Sequence, residues 1–240
     1  MKMLEIKNLS YSYGNNAVLK DINIYVNEGE MVSIIGTSGV GKSTLFNVIA
    51  GIENLQSGTI KINDSSNYLG KVSYMLQKDL LLAHKTIVDN VALPLIIKGT
   101  NTKDARLEAL EVLKHFGLDD YADKYPSQLS GGMKQRVALL RTYMLKEKLF
   151  LLDEAFSALD AITKNQLHKW YTQVHKDLGL TSLLITHDIE EAITLSDRIY
   201  ILKNKPGQIV SEIKIDLDPN QDVDIQKLKY KREIINILEI

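Results

Sequence analysis

The run Gly36-Thr37-Ser38-Gly39-Val40-Gly41-Lys42-Ser43-Thr44 constrains this chain more than any other stretch of it. It fits the pattern G-x-x-x-x-G-K-[ST], a phosphate-binding loop. Met31-Val32-Ser33-Ile34-Ile35, just before it, is mostly apolar and β-branched. That predicts a parallel strand buried on both faces. Leu45, Phe46, Val48 and Ile49, followed by Gly51, predict a helix closed by glycine. The context matters, because a glycine-rich turn with a surface lysine would need neither strand nor helix. Glycines let backbone N–H groups turn inward around phosphate oxygens, and a helix N-terminus adds partial positive charge. Lys42 is placed to reach the β- and γ-phosphates, and the Ser43 hydroxyl to ligate Mg²⁺. The expected ligand is a nucleoside triphosphate.

The rest of the chain fits an α/β domain. Residues 3–35 alternate short apolar stretches with turns at Gly14-Asn15-Asn16 and Asn27-Glu28-Gly29, which predicts a small antiparallel sheet leading into the loop strand. Ser57–Ile62 and Lys71–Leu76 read as strands. Between them and the later strands the pattern turns helical. Thr86 is placed to cap a helix to Ile97, which Pro94 should bend or interrupt. Thr102 is placed to cap another, with Leu107, Leu110 and Leu113 at helical spacing and Gly117 as its stop. Ser130-Gly131-Gly132 opens a third. This suggests an inserted helical subdomain at about 78–135 within a single nucleotide-binding domain over residues 1–240. The second half alternates: strand Leu149–Leu152, helix 160–178, strand Thr181–Thr186, helix 188–195, strands Arg198–Leu202 and Gln208–Ile215. That order implies a mostly parallel sheet with helices on both faces. A polar linker, 216–223, leads into a tail helix from Ile225 to Ile240, and residues 216–240 together form the C-terminal tail.

Composition excludes several classes. The net charge of -1 gives no basic surface for nucleic acid. The absence of cysteine excludes disulfides and thiolate metal sites. No apolar run approaches bilayer length, and the N-terminus mixes charge with apolar residues, unlike a signal peptide. A membrane role would have to come through a partner.

Leu149-Phe150-Leu151-Leu152-Asp153-Glu154 is an apolar strand ending in two carboxylates. Beside a phosphate-binding loop, Asp153 suits a Mg²⁺ ligand, and Glu154 suits a group that orients or deprotonates an attacking water. Tyr13, next to Gly14, is either an ordinary strand aromatic or a platform for stacking on a base. Upstream, Leu129-Ser130-Gly131-Gly132-Met133-Lys134-Gln135 resembles the signature sequence of ATP-binding-cassette (ABC) proteins. The resemblance covers nearly the whole chain. Gln77 matches that family's Q-loop glutamine, which senses Mg²⁺ and the attacking water. Ser157-Ala158-Leu159-Asp160 matches the D-loop, His187 the switch histidine at the γ-phosphate, and Tyr13 the adenine-stacking aromatic. The other histidines, His84, His115, His168 and His175, have no motif and are read as surface or packing residues.

The resemblance implies an ABC ATPase using ATP and Mg²⁺. Ser130 caps a helix whose N-terminal N–H groups make a second anion site. In the family two cassettes sandwich two ATP molecules head to tail. Each site would combine Lys42, Ser43, Gln77, Asp153, Glu154 and His187 of one copy with Ser130, Gly131, Gly132 and Asp160 of the other, making a homodimer. Gln77-Lys78-Asp79-Leu80-Leu81-Leu82, Val88-Asp89-Asn90-Val91, Phe156-Ser157-Ala158-Leu159-Asp160-Ala161, Ser196-Asp197-Arg198-Ile199 and Lys205-Pro206-Gly207 are similar to the importer subfamily for nitrate, sulfonates, taurine and thiamine-precursor pyrimidines. The expected function is therefore the ATPase subunit of an importer, peripheral at the cytoplasmic side of the cell membrane. Its partners would be integral permease subunits and, indirectly, a substrate-binding protein. An ABC ATPase for export or lipoprotein release, and a soluble ABC regulatory protein, are the alternatives. Leu80-Leu81-Leu82-Ala83 is either core or part of a groove for a permease helix. Ala155 stands where the family usually has proline, which would leave Glu154 less restrained.

Overall fold

The computed structural model describes residues 1–157, 159–218 and 220–239. Ala158 of the D-loop match, Pro219 of the polar linker and Ile240 of the tail lie outside the described residues. The chain divides into two compact units, Met1–Val72 with Lys148–Glu154 and Thr172–Ile240, and Ser73–Glu147 with Ala155–Tyr171.

The first unit holds two sheets. β1 (Lys2–Tyr13) pairs antiparallel with β2 (Asn16–Asn27) and with β4 (Ser57–Ile62). The second sheet centres on β3 (Met31–Ile35), whose five residues are all buried. β3 runs parallel to β7 (Thr181–Thr186) on one side and to β8 (Arg198–Lys203) on the other. β6 (Leu149–Asp153) pairs parallel with β7, and β9 (Gln208–Lys214) closes the edge antiparallel to β8. The near-continuous apolar runs of β3 and β6 are what a parallel strand covered on both faces requires, and all six residues of β7 are buried too. α1 (Lys42–Ile49) follows the loop and stops two residues before Gly51. α6 (Ile189–Leu195) and α7 (Val223–Leu238) pack with β8 and β9 around Ile193, Ile199, Ile213, Ile234 and Leu238. Asp188 and Asp222 cap these two helices, each accepting two backbone N–H bonds.

A single arginine ties the two sheets together. Arg198 is 4% exposed. It donates to both oxygens of Glu30 (2.6 and 2.9 Å), to Glu212 (3.0 Å), to the Tyr200 hydroxyl (2.9 Å) and to the Tyr25 carbonyl (3.0 Å). Its guanidinium carbon also lies 3.8 Å from the centre of the Tyr25 ring. Burial alone would lower its pKa, but the bonds to Glu30 and Glu212 outweigh burial and raise it. Burial pushes the neighbouring Tyr200 hydroxyl up to about 12.

The second unit is helical. α2 (Ile87–Ile97), α3 (Thr102–His115) and α4 (Gly131–Tyr143) enclose a core of Val88, Val91, Leu95, Leu113, Val137 and Leu140. Thr86 caps α2 by accepting from Asp89 N–H. Pro94 does not interrupt this helix, which runs through it with the proline buried. The cap of α3 is Asn101, which accepts from Lys103 N–H, and Thr102 is the first helical residue instead. Its inward face is Ala105, Ala109 and Leu113 at four-residue spacing, while Leu107 and Leu110 are exposed. Alanines let α3 approach α2 closely, and leucines on the outer face cost little. β5 (Val72–Met75) and α5 (Ala161–Asp177) each cross the division between the units.

Replacing Arg198 with methionine strands the carboxylate of Glu30. The expected cost is about 3–5 kcal/mol, which for a chain of this size lowers the melting temperature by on the order of 10 °C. Differential scanning calorimetry checks it.

Candidate functional site

The first unit delivers its polar residues from the ends of parallel strands. β3 ends at Ile35, the loop follows, and α1 begins at Lys42. Gly41 makes the turn possible. Its φ of 107° is a conformation side chains rarely adopt, and a Cβ there would sit 2.7 Å from the Leu19 side chain. The first N–H groups of α1 therefore open onto the loop, with no helical partner of their own.

Around this turn lies a cavity of about 330 Å³ lined by Tyr13, Val18, Ser38, Gly39, Gly41, Lys42, Ser43, Thr44 and Glu154. Eight of these nine were expected from sequence. Val18, on β2, was not, since nothing local marks it. Gly36 and Thr37 take part through their carbonyls, which accept from Lys42 Nζ at 2.7 and 3.1 Å. Val40 is 2% exposed and serves packing. Lys42 itself is 7% exposed. Burial holds its pKa below the ordinary lysine value, while the charges of Glu154 and Asp153 pull it back up.

Asp153 is the buried last residue of β6, paired in register with Ile185 of β7. Glu154 follows at φ 46°, a left-handed conformation unusual for a non-glycine residue and of a kind stored at functional sites. Its N–H donates to the Ile185 carbonyl at 2.9 Å, and its carboxylate lies 3.3 Å from Nδ1 of His187. So Glu154 is restrained although Ala155, fully buried, stands after it. His187 follows β7 and is otherwise exposed. Of the remaining histidines, His84 and His115 are exposed, and His168 and His175 are buried. His168 meets Phe156 edge-on at 5.2 Å.

The second unit places the other expected residues. Ser130 caps α4, accepting from Met133 N–H at 3.3 Å. Gly132 is needed for a reason sequence reading did not find. A Cβ there would come 2.5 Å from the methyl of Thr163 on α5, whereas at Gly131 the nearest atom, on Leu159, is 3.3 Å away. Asp160 caps α5, accepting from Ile162 and Thr163 N–H at 3.1 Å each, and bonding to Thr163 holds its carboxyl below the ordinary aspartate range. Gln77 is exposed, its side chain 3.5 Å from the Ser157 hydroxyl.

α4 also grips the segment after Gln77. Gln135 donates to the Gln77 carbonyl at 3.4 Å, and Arg141 to the carbonyls of Asp79 (2.6 Å) and Leu80 (2.7 Å). Buried Asn90 of α2 continues the hold, bonding Leu82 N–H at 2.7 Å and the carbonyls of Leu82, Lys85 and Thr86. The segment is thus split. Leu81 packs against the helical core, while Leu80 is 53% exposed.

Comparison with known proteins adds an independent line. The family described as "ABC transporter" matches residues 19–157. The formylaminopyrimidine import ATP-binding protein ThiZ of Halalkalibacterium halodurans is 38% identical over 244 residues, covering 99% of this chain and 96% of that protein. The aliphatic sulfonates import ATP-binding protein SsuB of Albidiferax ferrireducens is 39% identical over 216 residues, covering 89% and 75%. Among solved structures, the dimeric ATP-binding cassette MJ0796 in a post-hydrolysis state bound to ADP and Pi is similar with a TM-score of 0.74. It is 33% identical, with 89% of this chain and 99% of that chain covered.

Lys42→Ala is expected to weaken ATP binding about 10- to 100-fold, the range of one or two charge-assisted hydrogen bonds, read by titration calorimetry. Gly132→Ala should destabilise the second unit by about 1–3 kcal/mol through overpacking, and Gly131→Ala by less, as denaturant titration would show.

Proposed function

The chain belongs to the ABC transporter family, and on that premise we propose that it powers an importer for a small nitrogen- or sulfur-containing solute. It is an ATPase of that family, and its relatives include ATP-binding subunits of import systems. Nitrate, sulfonates, taurine and pyrimidines are the solute class, supported by the full-length likeness to a formylaminopyrimidine relative. Among the described residues no helix is long and apolar enough to cross a membrane. We assign the passage of solute to integral permease subunits, fed by a substrate-binding protein, with this chain at their cytoplasmic side.

The observation that carries the hydrolytic reading is that Glu154 shares one cavity with Lys42 and Ser43. In this reading Lys42 holds the β- and γ-phosphate oxygens, with the α1 N–H groups and those of the loop around them. Glu154 accepts a proton from the attacking water as its oxygen bonds the γ-phosphorus and the bond to the bridging oxygen breaks, giving ADP and phosphate. The contact of His187 with Glu154 fixes that carboxylate and presents the imidazole to the γ-phosphate. Tyr13 stacks on adenine.

The donor set also fits Mg²⁺. Asp153 is buried at the strand end and Ser43 lines the cavity. Among the described residues no group of three or more His, Asp or Glu could cage a metal by itself. One carboxylate and one hydroxyl, with phosphate and water as the other ligands, is how Mg²⁺ is usually held. When bound it neutralises charge on the transferring phosphate. Gln77 is assigned to sensing that ion and the attacking water. Ser130, Gly131, Gly132 and Asp160 are assigned to the nucleotide of a second copy, so that ATP joins two chains and hydrolysis releases them.

Glu154→Gln is expected to abolish turnover while accumulating an ATP-bound dimer, measured by size-exclusion chromatography with light scattering. A variant that binds ATP yet stays monomeric overturns the assignment of Ser130.

A further inference from the structure

Tyr13 lines the cavity but is 46% exposed, so packing alone does not fix its ring. What fixes it is Glu53. One carboxylate oxygen of Glu53 accepts from the Tyr13 hydroxyl at 3.2 Å, and the other accepts from the hydroxyl of buried Tyr11 at 2.7 Å. The two tyrosine rings meet edge to face, 5.0 Å between centres and 78° between planes. The bond to Glu53 pushes the Tyr11 hydroxyl up to about 12. Glu53 is in turn anchored. Its N–H and that of Ile52 both donate to the carbonyl of Asn47, in the last turn of α1. One short helix, about 12 Å long, thus begins at the phosphate-binding lysine and ends in the chain that holds Tyr13.

We infer that Glu53 is a positioning residue for the nucleotide base: through its bond to Tyr13 it presents that ring for stacking. The inference rests on the reading that Tyr13 stacks on adenine. It deepens that reading by giving base recognition a fixed geometry relative to the phosphate loop. Tyr11 is the buried backstop that keeps the carboxylate from rotating away.

The test compares ATP with inorganic tripolyphosphate, which has phosphates but no base, by calorimetry on the full chain. Glu53→Ala is expected to lose about three- to tenfold in ATP affinity, the scale of one aromatic contact, with tripolyphosphate affinity unchanged. Glu53→Gln, which keeps an oxygen acceptor, is expected to restore most of the loss. Tyr13→Phe, which cuts the tether from the other side and leaves Tyr11 bonded to Glu53, should weaken ATP binding in the same selective way. The double variant Glu53→Ala with Tyr13→Ala should bind ATP no more weakly than Tyr13→Ala alone. If Tyr13→Ala leaves ATP affinity unchanged, the stacking reading itself fails. If Tyr13→Ala weakens ATP binding but Glu53→Ala does not, or if Glu53→Ala weakens both ligands equally, the role of Glu53 is overturned while stacking stands.

Discussion

A lysine ammonium held almost entirely out of water is the fixed point of the first unit. An isolated cation in that position would be costly, and it persists only where oxygens surround it. Gly36 and Thr37 turn their carbonyls onto Lys42, and Asp153 and Glu154 add negative charge. These contributors come from two places far apart in the chain. The loop needs β3 buried on both faces to aim it, and the carboxylates need β6 to end at the same edge. The parallel register of β6 on β7 is what sets Asp153 opposite Ile185, and Glu154 then bonds the Ile185 carbonyl. The ammonium is thus balanced by two loop carbonyls and two carboxylates, all oxygens.

The second unit answers a different physical problem, which is to present a helix end without burying it. Ser130 satisfies one N–H of α4 with its own hydroxyl, and Gly132 lets Thr163 come close beneath. The same helix also carries polar contacts. Gln135 and Arg141 hold three carbonyls of the segment that follows Gln77.

What could be seen in the sequence was local. The loop pattern, the strand ending in Asp153-Glu154 and the cap at Ser130 each depend on residues within a few positions of one another. The Arg198 cluster was invisible because Glu30 lies 168 positions away and Tyr25 173. Glu53 and Tyr13 are separated by 40 positions, and Arg141 and Leu80 by 61. The leucine spacing in α3 does mark a helix, and Leu113 is buried, but that Ala105 and Ala109 rather than Leu107 and Leu110 share its inward face depends on distant packing that the local sequence does not carry. Pro94 does not end α2, where it is buried with its helical neighbours.

The grip of Arg141 has a mechanical consequence. Its guanidinium clasps the backbone at Asp79 and Leu80 with two short bonds, and backbone cannot swivel out of the way as a side chain can. Arg141 and Ser130 stand on one continuous helix, about 16 Å apart along its axis. Any shift of the backbone that carries the exposed Leu80 is therefore felt first by the helix that carries Ser130 at its other end.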